Sequence, residues 1–338
     1  MTKRDCLACL AQLWDPLGLV TIAKIELRID LQELWSAGYA WDETLPGAIQ
    51  LKWMKNIQTL NQLLTHEFNR KLKPDTAVGL PEVYGFCDGG ERAYGYVIFL
   101  RWKLADGSYS CIPLMIKAFV APLKKKSIPR LELMVCLSLA RLYSTCKEAL
   151  AFAEITSCKS VFWMDSQTVL TWVKTCPRKF KLFVSVRVAE IQETLDRQAF
   201  KYIRSDSNPA DVLTRGAPPE ELKSWMEGPR FLWRPEDEWP KFEENSKQDD
   251  EETKKEIKPN KVKATKPNEP TDCAAASEES ADIRQPSDVP ILEHLMNSCS
   301  TYAKARKTLA YVLRFINSTR VKKTKQNKKT KALFHHKN

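Results

Sequence analysis

The sequence predicts a mixed α/β domain, and three observations carry the prediction. Apolar residues recur with period two in three successive runs between residues 83 and 120. A long segment follows whose apolar residues wrap most of a helical surface, so it is a helix buried against a sheet. After it, a short, dense apolar run at 160–165 is flanked by further helical segments.

The elements follow in chain order. The stretch 30–65 has a helical period, with Leu31, Leu34 and Trp35, then Trp53, Ile57, Leu60 and Leu64 forming stripes that belong in a core. From Pro81 the period changes to two. "VYGFCD" (83–88), "AYGYVIFLRW" (93–102) and "YSCIPLMIKAFV" (109–120) are three strands of an antiparallel meander, the last two joined by "ADGS", whose Asp-Gly tolerates positive φ. "SIPRLELMVCLSLARLYSTCKEAL" (127–150) is the buried helix, with Pro129 suited to its first turn. "SVFWMD" (160–165) is a fourth strand and "DSQTVLTWV" opens a helix; Trp163 and Trp172 are expected in the core. "VSVRVAEIQETL" is a further helix, "AFKYIR" a fifth strand and "NPADVLTRG" a short terminal helix. The predicted order is β-β-β-α-β-α-α-β-α.

After Trp233 the composition changes to charge and proline, and the run 244–280 has almost no large apolar residues to offset its ordering entropy. The expectation is a disordered linker over 234–289, a helical segment over 290–320 carried by Leu309, Val312, Leu313 and Ile316, and a basic tail over 321–338.

With 338 residues and 43% hydrophobic content, the chain has material for two modest globular domains. No apolar run is long enough to span a bilayer, and the N-terminus lacks a small-residue cleavage site, which predicts an intracellular protein, cytoplasmic or nuclear, with no membrane partner. Ten cysteines are scattered; the close pair Cys6 and Cys9 has no second pair or histidine pair at zinc-ligand spacing, and small apolar positions on a helix account for it. The formal charge of +11 suits a polyanionic partner, although much of it lies in "RVKKTKQNKKTK".

Four acids occupy telling positions: Asp88 at the end of strand one, Glu132 early in the buried helix, Asp165 at the end of strand four and Asp211 in the last helix. If strands one and four are neighbours, Asp88 and Asp165 meet at their ends and the helix adds Glu132 from the side. Clustered carboxylates without histidine or thiolate suit hard cations, Mg²⁺ or Mn²⁺. Two such ions roughly 4 Å apart serve in-line displacement at a phosphodiester. Each acid also has a structural role open to it. Asp88 could cap a turn before Gly89 and Gly90, Glu132 sits at the positive end of a helix, Asp165 could be the N-cap of the next helix, and Asp211 could pair with Arg215.

The string "WDPLGLV…AKIELRIDLQELW…WDE" resembles the end of the reverse transcriptase region in BEL/Pao-type retrotransposon pol polyproteins. "YGFCDGGERAYGYVIFLR…IPRLELMVCLSLARL…WMDSQTVLTWV…RVAEIQ…NPADVLTRG" resembles the ribonuclease H-like segment that follows it, for a match over roughly residues 5–233. "ARKTLAYVLRFINSTR" is similar to the segment before the integrase zinc module. The resemblance implies a connection region over 1–75, a ribonuclease H-like domain over 78–233, and Asp88, Glu132, Asp165 and Asp211 as catalytic metal ligands for Mg²⁺ or Mn²⁺. An RNA–DNA hybrid or another nucleic acid would be the partner, gripped by Lys124, Lys125, Lys126 and Arg130, with other pol-derived modules as further partners. Two departures stand out: the family commonly reads "SDAS" where this chain has "CDGG", and Tyr202 falls where a histidine is frequent. A paired-aspartate polymerase motif and a His-His-Cys-Cys array are both missing, so the chain reads as a fragment or a domesticated remnant.

Two alternatives accompany this reading. A catalytically silent remnant would keep the fold and bind nucleic acid or protein. The same region of these polyproteins is also grouped as a Pao retrotransposon peptidase, but "CDGG", "ADGS", "MDSQ" and "SDSN" all fail the Asp-[Ser/Thr]-Gly turn that an aspartic peptidase requires.

Overall fold

The computed structural model describes residues 1–69, 71–243 and 250–259, all within one compact unit, Met1–Val262. The expected helical segment at 290–320 and the basic tail lie outside the described residues.

Five strands form one sheet in the order β3-β2-β1-β4-β5: β1 is Ala77–Gly89, β2 Ala93–Leu104, β3 Tyr109–Val120, β4 Lys159–Met164 and β5 Phe200–Tyr202. The first three strands form the antiparallel meander, whereas β4 and β5 run parallel to β1. The 105–108 turn has Gly107 at φ +85°, as the Asp-Gly pair requires. Pro113 lies in β3, an edge strand, where its missing N–H costs the sheet least. All four residues from Val161 to Met164 are buried, so β4 is covered on both faces and shows no alternation.

One face of the sheet is covered by α4 (Ile128–Phe152), whose buried residues run from Leu131 to Leu150, together with α5 (Gln167–Lys174) and α6 (Leu182–Thr194). The other face receives α2 (Thr21–Ser36), α7 (Val212–Arg215) and the short α8 (Leu222–Met226). The architecture is the expected α/β, ribonuclease H-like one, with the element order β-β-β-α-β-α-α-β-α.

The N-terminal helices α1 (Lys3–Gln12), α2 and α3 (Gly47–Asn61) are bound into the same unit. Helix α2 carries two apolar stripes: Ile22, Ile25 and Ile29 pack with Phe86 and Phe99 of the sheet, whereas Leu27 and Leu34 pack with Leu10, Trp53 and Leu60 of the other helices. The turn before α2 abuts β3, with Ile116 N–H donating to the Leu17 carbonyl at 2.8 Å. Gly18 there has φ +82°, and a β-carbon would overlap the Ile116 carbonyl. The position of the Trp-Asp-Pro-Leu-Gly string is therefore fixed by the sheet it touches.

Three expectations need correction. β1 begins earlier than expected, at Ala77, because its first residues pair with the end of β2 across a register shift between Val78 and Glu82. Helix α5 is capped by Ser166, whose hydroxyl accepts from Val169 N–H at 3.3 Å, and not by Asp165. Parts of the stretch read as a linker are structured: Trp239 packs on Phe231 and Tyr84, and α9 (Glu251–Glu256) docks with Thr253 and Glu256 buried. Small polar anchors dock it, which an apolar-residue criterion overlooks.

Candidate active site

The central pair of strands brings the first two acids together. The parallel ladder of β1 and β4 ends with Cys87 opposite Met164, and the next residues on the two strands are Asp88 and Asp165. Partners across a parallel ladder share a face, so both carboxylates project at the same end of the sheet on the side of Tyr84 and Phe86.

Glu132 arrives from the first turns of α4, which pass so close to β1 that a β-carbon on Gly89 would lie 2.9 Å from the Glu132 backbone nitrogen. Asp211 directly precedes α7. That short helix rides on β2 at Gly95, where an added β-carbon would lie 2.5 Å from the Leu213 Cβ, too close for two carbons. Strand end, strand end, helix start and helix start thus carry the four acids.

Their electrostatics report crowding. Burial raises Asp88 to about 7, helped by the negative charges of Asp165 and Asp211 and opposed by a hydrogen bond from Thr214. Burial likewise raises Glu132 to about 7, Ser166 opposing and Asp165 and Asp88 adding to the rise. Asp165 is raised by burial and by Asp211 against hydrogen bonds from Ser205 and Asn208. Each of these three acids is pushed toward its neutral form by burial and by another member of the group.

The carboxylates meanwhile rest on protein donors. Ser205 Oγ donates to Asp165 Oδ2 at 2.8 Å, and Arg215 pairs with Asp211 at 2.5 Å. Asn208 is buried; its side-chain amide donates to the Cys87 carbonyl at 3.1 Å and its Oδ1 accepts from Ala210 N–H at 3.1 Å, which pins the 203–211 loop to the end of β1. As the side chains stand, no group of three or more acids, histidines or cysteines among the described residues is arranged to hold a metal ion. The donor chemistry nonetheless fits a hard divalent cation: mutually destabilised, half-buried carboxylates are the groups that a bound positive charge relieves.

Ser205, Asn208, Thr214 and Ser166 are site residues that the sequence did not announce. The Asn-Pro pair at 208–209 was the one available hint, since Asn before Pro favours a turn. An open groove of about 450 Å³ runs beside Asp211, with Ser205, Asn208, Arg215, Trp225 and Arg230 among its walls.

The basic residues occupy two kinds of surroundings. Lys124 and Lys125 are exposed in the loop between β3 and α4, while Lys126 and Arg130 flank the Phe183 ring at 5.9 and 4.7 Å from its centroid. Tyr202 ends β5 opposite Met164. Trp163 and Trp172 are both buried, as expected, and Cys6 is in the core of the N-terminal helices. No helix among the described residues is long and apolar enough to cross a membrane.

Residues 2–166 match the Pao retrotransposon-like RNaseH-like domain family, a span that contains Asp88, Glu132 and Asp165 and stops short of Asp211. Among solved structures, the N-terminal RNase H domain of a Mycobacterium tuberculosis protein, fused to maltose binding protein, is 15% identical. It covers 43% of this chain and 96% of that one, with a TM-score of 0.29. RNase H1 from Halobacterium salinarum NRC-1 is 11% identical over 43% of this chain and 98% of that one, with a TM-score of 0.23. A foamy viral protease-reverse transcriptase in complex with ds DNA is 11% identical over 59% of this chain and 34% of that one, with a TM-score of 0.30. No curated protein matches the chain.

Proposed function

From the premise that residues 2–166 are a Pao retrotransposon-like RNaseH-like domain, we propose that the chain hydrolyses phosphodiester bonds in the RNA strand of RNA–DNA hybrids, with Asp88, Glu132, Asp165 and Asp211 as its metal-binding acids. The observation that carries this reading is the β1/β4 ladder, which sets Asp88 beside Asp165 in a half-buried, mutually repelling arrangement. Bound Mg²⁺ or Mn²⁺ would neutralise the acids and supply the activated water and the stabilisation of the leaving oxygen.

The chain's own residues have separable tasks. Asp88 and Asp165 offer carboxylate oxygens from rigid strand ends, where backbone pairing fixes their spacing. Asn208 and Ser205 hold the loop and the Asp165 rotamer. Glu132 closes the cluster from α4, and Asp211 would exchange its Arg215 partner for a cation.

A second reading, nucleic-acid binding without cleavage, is favoured by the Asp211–Arg215 ion pair, which leaves the fourth acid engaged with a cation of the chain itself. Incubating the full chain with a labelled RNA–DNA hybrid in Mg²⁺ and in Mn²⁺ separates the two. RNA-strand cleavage that Asp88→Asn and Asp165→Asn abolish supports the nuclease, and binding without cleavage by the folded chain supports the silent form.

A further inference from the structure

Arg130, a basic position expected to meet nucleic acid, is already occupied. Its guanidinium Nε lies 2.6 Å from Glu256 Oε1 of α9 and its plane rests over Phe183. Glu256 is only 6% exposed, and its second oxygen, Oε2, is buried with no hydrogen-bond partner. A carboxylate half satisfied in this way is a costly side chain to bury, so stability alone gives little reason for it.

The surroundings suit an anion. Lys126, Arg130 and Arg187 all lie within 6 Å of the Phe183 ring centroid, at 5.9, 4.7 and 3.7 Å. The segment that brings Glu256 here is held chiefly by polar contacts, among them Lys258 N–H donating to the Lys179 carbonyl at 2.9 Å and the Lys181 and Lys258 ammonium groups donating to the Lys255 and Arg178 carbonyls. Lys181 N–H donates to the Glu256 carbonyl at 2.7 Å, Phe180 bridges Ile257, Trp172 Nε1 donates to Thr253 Oγ1 at 2.9 Å and Thr168 Oγ1 donates to Asp250 at 2.5 Å. Lys254 and Lys255 pair along α9 with Glu251 and Glu252, which leaves Asp250 and Glu256 turned toward the domain. Six helical residues held by such contacts, with no large apolar anchor among them, make a low-stability element.

We propose that residues 250–259 are a removable strap whose Glu256 carboxylate occupies an anion site centred on Arg130, with Arg187 and Lys126 adding positive charge around the neighbouring Phe183 ring, and that a backbone phosphate of a nucleic acid takes this site when the strap lifts. A guanidinium is matched to carboxylate and phosphate alike, so the one can stand in for the other. Arg130 and Glu132 lie two residues apart at the start of α4, so the anion site and the carboxylate cluster share that end of the helix but occupy different faces of it. The inference rests on nucleic acid being the substrate, and the strap is then a built-in competitor for it.

The test measures binding in EDTA, so that cleavage plays no part. The full chain, Glu256→Gln and Thr253→Asp are titrated with a fluorescent RNA–DNA hybrid at several salt concentrations, with thermal melts to establish folding. Glu256→Gln removes the competing charge, and Thr253→Asp dislodges α9 without touching Arg130. Expected are an affinity about five- to tenfold higher in either folded variant and a log–log salt dependence steeper by about one phosphate contact. Arg130→Ala is expected to change wild-type binding little and to cancel the gain in the Glu256→Gln background. A purely structural role for α9 would lower the melting temperature and leave the salt slope unmoved. Unchanged affinity in the folded variants, or a full loss of affinity on Arg130→Ala in the wild-type chain, would overturn the strap while leaving the nucleic-acid reading in place. A chain that binds no hybrid in any form would overturn both.

Discussion

Glu82 and Asp88 lie on the same strand and the same face of the sheet, six residues apart, and their surroundings are opposite. Glu82 has Arg101 as its register partner on β2 and Lys159 on β4. Asp88 has Gly95 on β2 and, one step beyond the last pair of the β4 ladder, Asp165. At the first end, Arg101 is 2% exposed, pairs with Glu82 at 2.5 Å, donates to the Leu232 and Arg234 carbonyls at 2.7 and 2.6 Å and lies 3.6 Å from the Tyr109 ring centroid. Every strong donor there has an acceptor, and the clasp ties the 230–234 segment to the sheet. At the second end, like charges face one another. One end is compensated by a buried guanidinium, whereas at the other Asp88 and Asp165 have only hydroxyl and amide donors to set against their burial and mutual repulsion, the pattern that the proposed cation site calls for.

The sharpest way to break this contrast is to remove one acid from each end. If the proposed nuclease reading holds, Asp165→Asn should lower RNA-strand cleavage by about 10³-fold or more while the chain stays folded, because one carboxylate of the proposed metal-binding group is lost. Cleavage surviving within tenfold of wild type would take the catalytic role away from the strand ends. Arg101→Met should do the reverse, unfolding the chain at lower urea by about 3 kcal/mol or more, since it leaves Glu82 and two carbonyls without their buried donor. An unchanged urea midpoint would mean that the clasp is dispensable.

The pH dependence sharpens the comparison next. Asp88 and Glu132 have folded-state values near 7, above their ordinary carboxylate values, so between about pH 4 and 7 the folded state binds more protons than the unfolded one. Their contribution to stability is therefore greatest at low pH and is lost as pH rises through 7. In EDTA, raising pH from 5 to 8 should destabilise the chain by up to about 5 kcal/mol, roughly half from each acid, and Asp88→Asn should about halve that slope and stabilise the chain at pH 8. Mg²⁺ should restore stability more at pH 8 than at pH 5, where protons hold its ligands. Denaturation midpoints that do not vary over this range, or that rise with pH, would show the acids to be compensated.

The two ends also differ in how far the sequence revealed them. The strand and helix order was readable because period-two runs, the Asp-Gly turn and Pro129 are local signals, and the four acids stood at the ends of those elements. Arg101 carries no local signal that sets it apart from any other charge near a strand end; its three acceptors come from residues 82, 232 and 234, far apart in sequence. Ser205 and Asn208 were hidden for the same reason, because their roles exist only once the 203–211 loop meets the ends of β1 and β4. Asp165 gave way to Ser166 as helix cap because both residues are good caps and only the direction of the strand exit separates them. What depends on neighbours along the chain was legible, and what depends on neighbours across the fold was not.

Gly89 gives the smallest and most specific test. Its backbone φ is not in the left-handed region, so alanine there meets no intrinsic strain, and the obstacle is steric: the new methyl would lie 2.9 and 3.0 Å from the nitrogen and Cα of Glu132. These are backbone atoms at the start of a long packed helix, and they cannot swing aside as a side-chain tip would. The first turn of α4 must retreat by a few tenths of an ångström, taking the Glu132 carboxylate with it. Gly89→Ala should therefore cost about 1 kcal/mol of stability and lower kcat about tenfold with little change in KM, since the groups that would contact nucleic acid are untouched and only the position of one acid shifts. With glycine at this position, the chain holds α4 closer to β1 than an alanine would permit. A variant with wild-type kcat would mean that the close approach serves packing alone, and the carboxylate end would then share more with the Glu82 end than their charges suggest.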